Sequence, residues 1–241
     1  MAFIGVTGLV FSTVFVFRYA WKAESRLRAF SQNASLHVDD RLAGVLAKKL
    51  GDRWTVAVLA RNGWNTTQEY EALVKHPKKP RQIVFSYFLN DIESTARANG
   101  YVGPKLRGIP NNTILYFMHQ SFILSWLHTR FYITSAVGGV YFDYLQQVYD
   151  NPKIWDSHKR ELDGIINYAR QIESEIIFIV WPFLTRIDES LHLTSRVVAY
   201  LSEQQIEVID LAKHFAGRDP DSLIVSPLNS HPSVQANREV A

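Results

Sequence analysis

The sequence predicts an α/β domain, a three-layer α/β/α sandwich whose helices cover both faces of a central parallel sheet of about five strands. Three observations carry this expectation. Short runs of Val, Ile and Phe recur along the chain, apolar on consecutive residues as strands buried on both faces are. Segments with helical apolar spacing separate them, which is the alternation that builds a parallel sheet. The 241 residues are 47% hydrophobic and 13% aromatic, enough for one full core and better suited to one domain with insertions than to two.

The first element is uncharged from Ala2 through Phe17 and is followed by Arg18, Lys22, Arg26 and Arg28. It falls slightly short of the roughly 18 to 20 residues that cross a bilayer as a helix, although Tyr19, Ala20 and Trp21 could extend it into the interface. Residues 1–21 are therefore read as an apolar anchor or signal-like segment, against the alternative of a buried strand or helix of the domain itself. The basic flank would place the domain in the cytoplasm, whereas a basic leader upstream would fit export. The protein is expected to be membrane-anchored or exported, with the side of the membrane open.

Residues 22–241 form the domain. Its strands are expected at Arg26–Phe30, Trp54–Leu59, Gln82–Phe88, Glu175–Val180 and Ile206–Leu211. Helical spacing falls at Asp40–Leu50, where Leu42, Val45, Leu46 and Leu50 share a side, and at Thr67–Val74, Trp155–Ile172 and Glu189–Glu203. Gly51 follows the first helix as a C-terminal glycine does. The stretch at about residues 96–151 breaks the rhythm: Gly and Pro at its start give way to apolar and aromatic runs. It is read as a helical insertion, serving as a lid or wall near the cleft or as additional core.

Charge and cysteine content narrow the function classes. The formal net charge of +3 is mild, and the one dense basic run, Lys75-His76-Pro77-Lys78-Lys79-Pro80-Arg81, is broken by prolines. It reads as a solvated connection, and no nucleic-acid partner is expected. With no cysteine in the chain, disulfides, thiolate catalysis and cysteine metal sites are excluded. Three Asn-x-Ser/Thr sequences, at Asn33, Asn65 and Asn111, would matter only in a eukaryotic secretory route.

The most informative stretch is Tyr87-Phe88-Leu89-Asn90-Asp91-Ile92, which closes an apolar run with an Asn-Asp pair where a buried strand should end. In an open α/β sheet that is where ligands bind. Gly63-Trp64-Asn65-Thr66 lies upstream, and Asn229-Ser230-His231-Pro232-Ser233 near the C-terminus. Together these blocks resemble the later sequence blocks of the SGNH (GDSL-like) hydrolases, over roughly residues 26–241.

The resemblance implies a flavodoxin-like fold and a serine esterase that needs no metal or organic cofactor. Asn90 would donate its amide, and Gly63 its backbone N–H, to the oxyanion, with the Ser31 N–H as a third donor. His231 would be the general base. Its substrate would be a small acyl ester or an acylated carbohydrate or lipid. The first block departs from the family, which reads Gly-Asp-Ser with a further glycine. Counting back from Val38-Asp39-Asp40 places Ser31 at the nucleophile and Ala29, Phe30 and Ser35 at the other three positions. Leu228 stands where the family carries the aspartate that orients the histidine, leaving Asn229 as a neutral acceptor for the ring. These departures equally fit a catalytically impaired module that binds acylated or carbohydrate ligands, and an O-acyltransferase is a further alternative.

Overall fold

The computed structural model describes residues 13–17, 36–61, 64–103, 121, 123, 138–226 and 229–241. The expected strand at Arg26–Phe30, Ser31, Gly63 and Leu228 lie outside these residues, as does most of the insertion. The strands are β1 (Thr13–Phe17), β2 (Thr55–Leu59), β3 (Gln82–Phe88), β4 (Glu175–Trp181), β5 (Glu207–Asp210), β6 (Ile224–Ser226) and β7 (Asn229–Pro232). The helices are α1 (Leu42–Leu50), α2 (Thr66–Lys75), α3 (Glu93–Ala98), α4 (Gly138–Asp150), α5 (Pro152–Gln171), α6 (Ile187–Glu203), α7 (Leu211–His214), α8 (Pro220–Leu223) and α9 (Val234–Val240).

The fold is α/β, and β3, β4 and β5 form its parallel sheet, in register from Gln82 opposite Glu175 to Phe88 opposite Trp181. The larger sheet runs β2-β1-β3-β4-β5. It is not parallel throughout, as the sequence suggested, because β1 pairs antiparallel with both β2 and β3. Within residues 1–21, read as an apolar anchor or signal-like segment or else as a strand or helix of the domain, the described part is this strand. Thr13–Phe17 are extended, with Val14 opposite Val58 on one side and Val84 on the other. An uncharged β-branched and aromatic segment fits an interior strand, which meets neighbours along both edges.

The period-2 alternation of the parallel strands divides the core in two. Ile83, Phe85 and Tyr87 of β3, with Phe178 and Val180 of β4, face a cluster filled by Leu145 and Val148 of α4, Leu162, Ile165 and Ile166 of α5 and Leu193 and Val197 of α6. Val84, Phe88, Ile179 and Trp181 face the opposite cluster, with Ala43 of α1, Leu211, Phe215 and Ala236. Full burial of a Leu or Phe side chain contributes about 1.5–3 kcal/mol, so this alternation fixes which face each strand presents.

Local chemistry sets the element ends that matter for the site. Asn151 caps α5 by accepting the Lys153 and Ile154 N–H groups, and Pro152 opens the helix where no N–H is needed. Gly51 ends α1 at φ 64°, a left-handed conformation that favours glycine. The basic run is the exposed connection between α2 and β3, with Lys75 bonded to Glu71 at 3.0 Å.

Candidate functional site

The carboxyl ends of β3 and β4 open on one cleft. After Phe88, the chain enters a tight 3-10 turn, Leu89–Ile92, because the Asp91 carboxylate reaches back to accept the Phe88 N–H at 2.9 Å. This turn carries Asn90 to the edge of the sheet. Phe88, Leu89 and Asn90 line the cleft on one side, Pro182, Phe183 and Leu184 after β4 line the next, and Ser230 and Pro232 of β7 close it. Asn90 and the Asn229–Pro232 strand, chosen from opposite ends of the sequence, are thus neighbours in space.

His231 lies between two lining residues but is not itself one of them. Its ring is held by Asn229, whose Oδ1 accepts both the His231 backbone N–H, at 3.2 Å, and Nδ1, at 2.5 Å. A carbonyl oxygen only accepts, so Nδ1 carries the proton and Nε2 presents a lone pair. That is the tautomer a general base requires. Nε2 is buried without a partner among the described residues. Burial also lowers the imidazole pKa below its ordinary value, since the charged form loses solvation.

A buried polar chain that the sequence reading passed over lies behind the turn. The Tyr149 O–H donates to the Leu89 carbonyl at 3.0 Å; Tyr149 and Tyr87 hydroxyls stand 2.5 Å apart; and Tyr87 Oη lies 2.9 Å from His158 Nε2. His158 Nδ1 then meets Glu161 Oε2 at 3.1 Å, beside Thr95. These contacts are satisfied together only if every donor points the same way, from Nε2–H to Tyr87, Tyr87 to Tyr149, and Tyr149 to Leu89. His158 Nδ1 also lies 3.2 Å from the Thr95 hydroxyl, which itself donates to the Glu161 carboxylate. Burial alone would raise the Glu161 carboxyl, but hydrogen bonds from His158 and Thr95 outweigh it and hold its pKa below the usual value. The sequence does hold a signal: His158 shares a face with Trp155, Leu162 and Ile165 at helical spacing, and is fully buried.

Asp91, the other half of the Asn-Asp pair, is a further buried group behind the cleft. Its carboxyl is pushed up to about 8 by burial, against the Phe88 N–H, which lowers it, and with Glu93 and Glu161 adding to the rise. It acts as the brace of the turn beneath Asn90.

Other parts of the surface offer less. A broad depression of about 800 Å³ runs between α5 and the end of α6, past Lys159, Arg160 and Tyr200. Within it Lys159 pairs with Asp156 at 2.7 Å and the Tyr200 hydroxyl donates to Asp163. Among the described residues no cluster of His, Asp or Glu could hold a metal ion, and no helix is long and apolar enough to cross a membrane. The structure brings together Asn90, Asn229 and the strand bearing His231, whereas Ser31 and Gly63 fall outside the described residues. Comparison of the chain with protein-family models, curated proteins and solved structures finds no match.

Proposed function

We propose that the protein is an SGNH-type serine ester hydrolase on a flavodoxin-like α/β/α scaffold, supported by the parallel strands β3, β4 and β5, although β1 runs antiparallel to its neighbours. The observation that carries the reading is the shared cleft: Asn90 and the strand bearing His231 meet at the carboxyl edge of the parallel strands. In this mechanism His231 Nε2 takes the Ser31 proton as the hydroxyl attacks the ester carbonyl. The Asn90 amide, with the Gly63 and Ser31 N–H groups, stabilises the oxyanion. The imidazolium then protonates the leaving alcohol, and a water activated by the same nitrogen releases the acid. No metal or organic cofactor enters this scheme. Tethering to a membrane through the N-terminal segment is the alternative to its place in the sheet as β1, and rests on its uncharged run and basic flank.

A second reading, a module that binds acylated or carbohydrate ligands without turnover, is favoured by one observation. The group behind His231 is the neutral Asn229, which orients the ring but cannot stabilise its charged form as a carboxylate does. An O-acyltransferase would use the same groups with an alcohol in place of water.

The test is p-nitrophenyl acetate hydrolysis by the full chain beside Ser31→Ala and His231→Ala, with a fluorophosphonate probe to find the reactive serine. Turnover abolished by both substitutions, with Ser31 labelled, supports the hydrolase. Folded protein with neither turnover nor labelling supports the binding module. The full chain is required because removing residues 1–21 would take β1 out of the sheet.

A further inference from the structure

We propose that helix α4 is a clamp that holds Asn90 at the cleft, with Tyr141 and Tyr149 as positioning residues for the oxyanion amide. The inference rests on the hydrolase reading and assigns that site its support. Asn90 lies in the short segment from Leu89 to Glu93, where the chain passes from β3 into α3. Two hydroxyls of α4 grip this segment at its ends. Tyr149 donates to the Leu89 carbonyl at 3.0 Å, and the Tyr141 hydroxyl donates to the Glu93 carboxylate. Roughly two helical turns separate the two tyrosines, which brings both to one face of α4.

The Leu89 contact reaches Asn90 through the backbone. The Leu89 carbonyl and the Asn90 N–H and Cα belong to one planar peptide unit, so the donor that fixes the carbonyl also fixes the direction in which Asn90 leaves the turn. The donor is itself held. Tyr149 and Tyr87 are fully buried with their hydroxyls 2.5 Å apart, and Tyr87 Oη lies 2.9 Å from His158 Nε2. A proton on Nε2 lets Tyr87 donate to Tyr149, which leaves the single Tyr149 proton for Leu89. Between the two tyrosines, Leu145 and Val148 are fully buried and anchor α4 in the core. Tyr141 also meets Phe183, a lining residue of the cleft, edge-on. One helix therefore touches both the turn that bears the amide and the wall beside it. An oxyanion donor works only where the developing charge appears, and a small displacement of such a group is costly to turnover.

The experiment is a double-mutant cycle on p-nitrophenyl acetate hydrolysis by the full chain, with kcat and KM measured for Tyr149→Phe and Tyr141→Phe, each alone and combined with Asn90→Ala. Each phenylalanine variant is expected to lower kcat roughly tenfold to a hundredfold with KM little changed, because an oxyanion donor acts in the transition state. In the Asn90→Ala background the same substitutions should change kcat by less than about twofold, since the group they position is gone. Rates are referred to the folded fraction, read from the urea curve of each variant, and Tyr141→Phe serves if Tyr149→Phe does not fold. Tyr101→Phe, which removes only the exposed contact with Gln147, should leave kcat unchanged. Equal losses with and without the Asn90 amide would make both tyrosines structural only and overturn the clamp, as would unchanged kcat in both single variants; the hydrolase reading would stand in either case. No turnover by the wild type overturns the hydrolase reading, and the clamp with it.

Discussion

Tyr149→Phe isolates the polar chain behind the Asn90 turn. The substitution keeps the ring, which is fully buried and packs 5.7 Å from Trp155, and removes one hydroxyl. Two hydrogen bonds go with it, the donation to the Leu89 carbonyl and the contact with Tyr87. A typical hydrogen bond contributes about 0.5–1.5 kcal/mol net, and a buried acceptor left unpaired costs about 1–3 kcal/mol. These describe overlapping parts of one loss, so the expected destabilisation is about 1–3 kcal/mol. For a chain of this size that lowers Tm by roughly 2–4 °C per kcal/mol. Urea unfolding at pH 7 should show a lower midpoint with an unchanged slope, as expected for lost stability without a changed unfolded state. Tyr101→Phe is the control, because its hydroxyl reaches Gln147 only at 3.5 Å in an exposed position. If Tyr149→Phe moves the midpoint no more than Tyr101→Phe does, the directional chain is wrong.

Four further outcomes follow from particular contacts. Asp91 has a folded pKa raised to about 8 by burial, so its contribution to stability is full below the ordinary carboxylate pKa and is lost as pH rises toward about 8. Urea midpoints should therefore fall from pH 5 to pH 8 in the wild type and flatten in Asp91→Asn, whose amide oxygen still accepts the Phe88 N–H; equal slopes would refute the burial argument. His231 is shifted the other way, below its ordinary value, so its stabilising share is full above the unfolded pKa and is lost as pH falls. The same shift keeps the base form to lower pH, and the acid limb of kcat/KM should have its midpoint below about 6.5; a midpoint above that value would contradict the desolvated ring. Asn90→Ala should lower kcat by roughly 10² to 10³ if the amide serves the oxyanion, whereas unchanged turnover would remove it from the chemistry. Deleting residues 1–21 should abolish cooperative unfolding, because β1 bonds to both β2 and β3; a deletion variant as stable as the full chain would refute that strand's place.

The fold was legible in the sequence wherever the signal was local. Gln82–Phe88 is a strand over the bounds its apolar run suggested, and Glu175–Trp181 extends the expected strand by one residue. Helix α5 starts three residues earlier than its apolar pattern, at Pro152, because the Asn151 cap lies outside the hydrophobic stripe. The site was legible in part. Asn90 stood out as a polar residue ending a buried strand, and Asn229 as an acceptor two residues before His231. His158 and Glu161 did not stand out, because a buried polar group is recognised by its partners, and those come from β3, α2 and α3, as far as 71 residues from His158 in the chain.

The sequence by itself determined strands β2 to β5 and helices α1, α2, α5 and α6, since side-chain period and capping act between near neighbours. It also determined that Asn90 ends a strand and that Asn229 can reach His231. Only the tertiary structure decided the direction of β1, because an uncharged extended segment fits either orientation until its register against Val58 and Val84 is set. It alone decided that Asn90 and the β7 strand share a cleft, and how its walls are held. Those are distances between segments more than a hundred residues apart, fixed by the packing of Phe88 on Trp181 and of Phe183 on Tyr141 and Phe142.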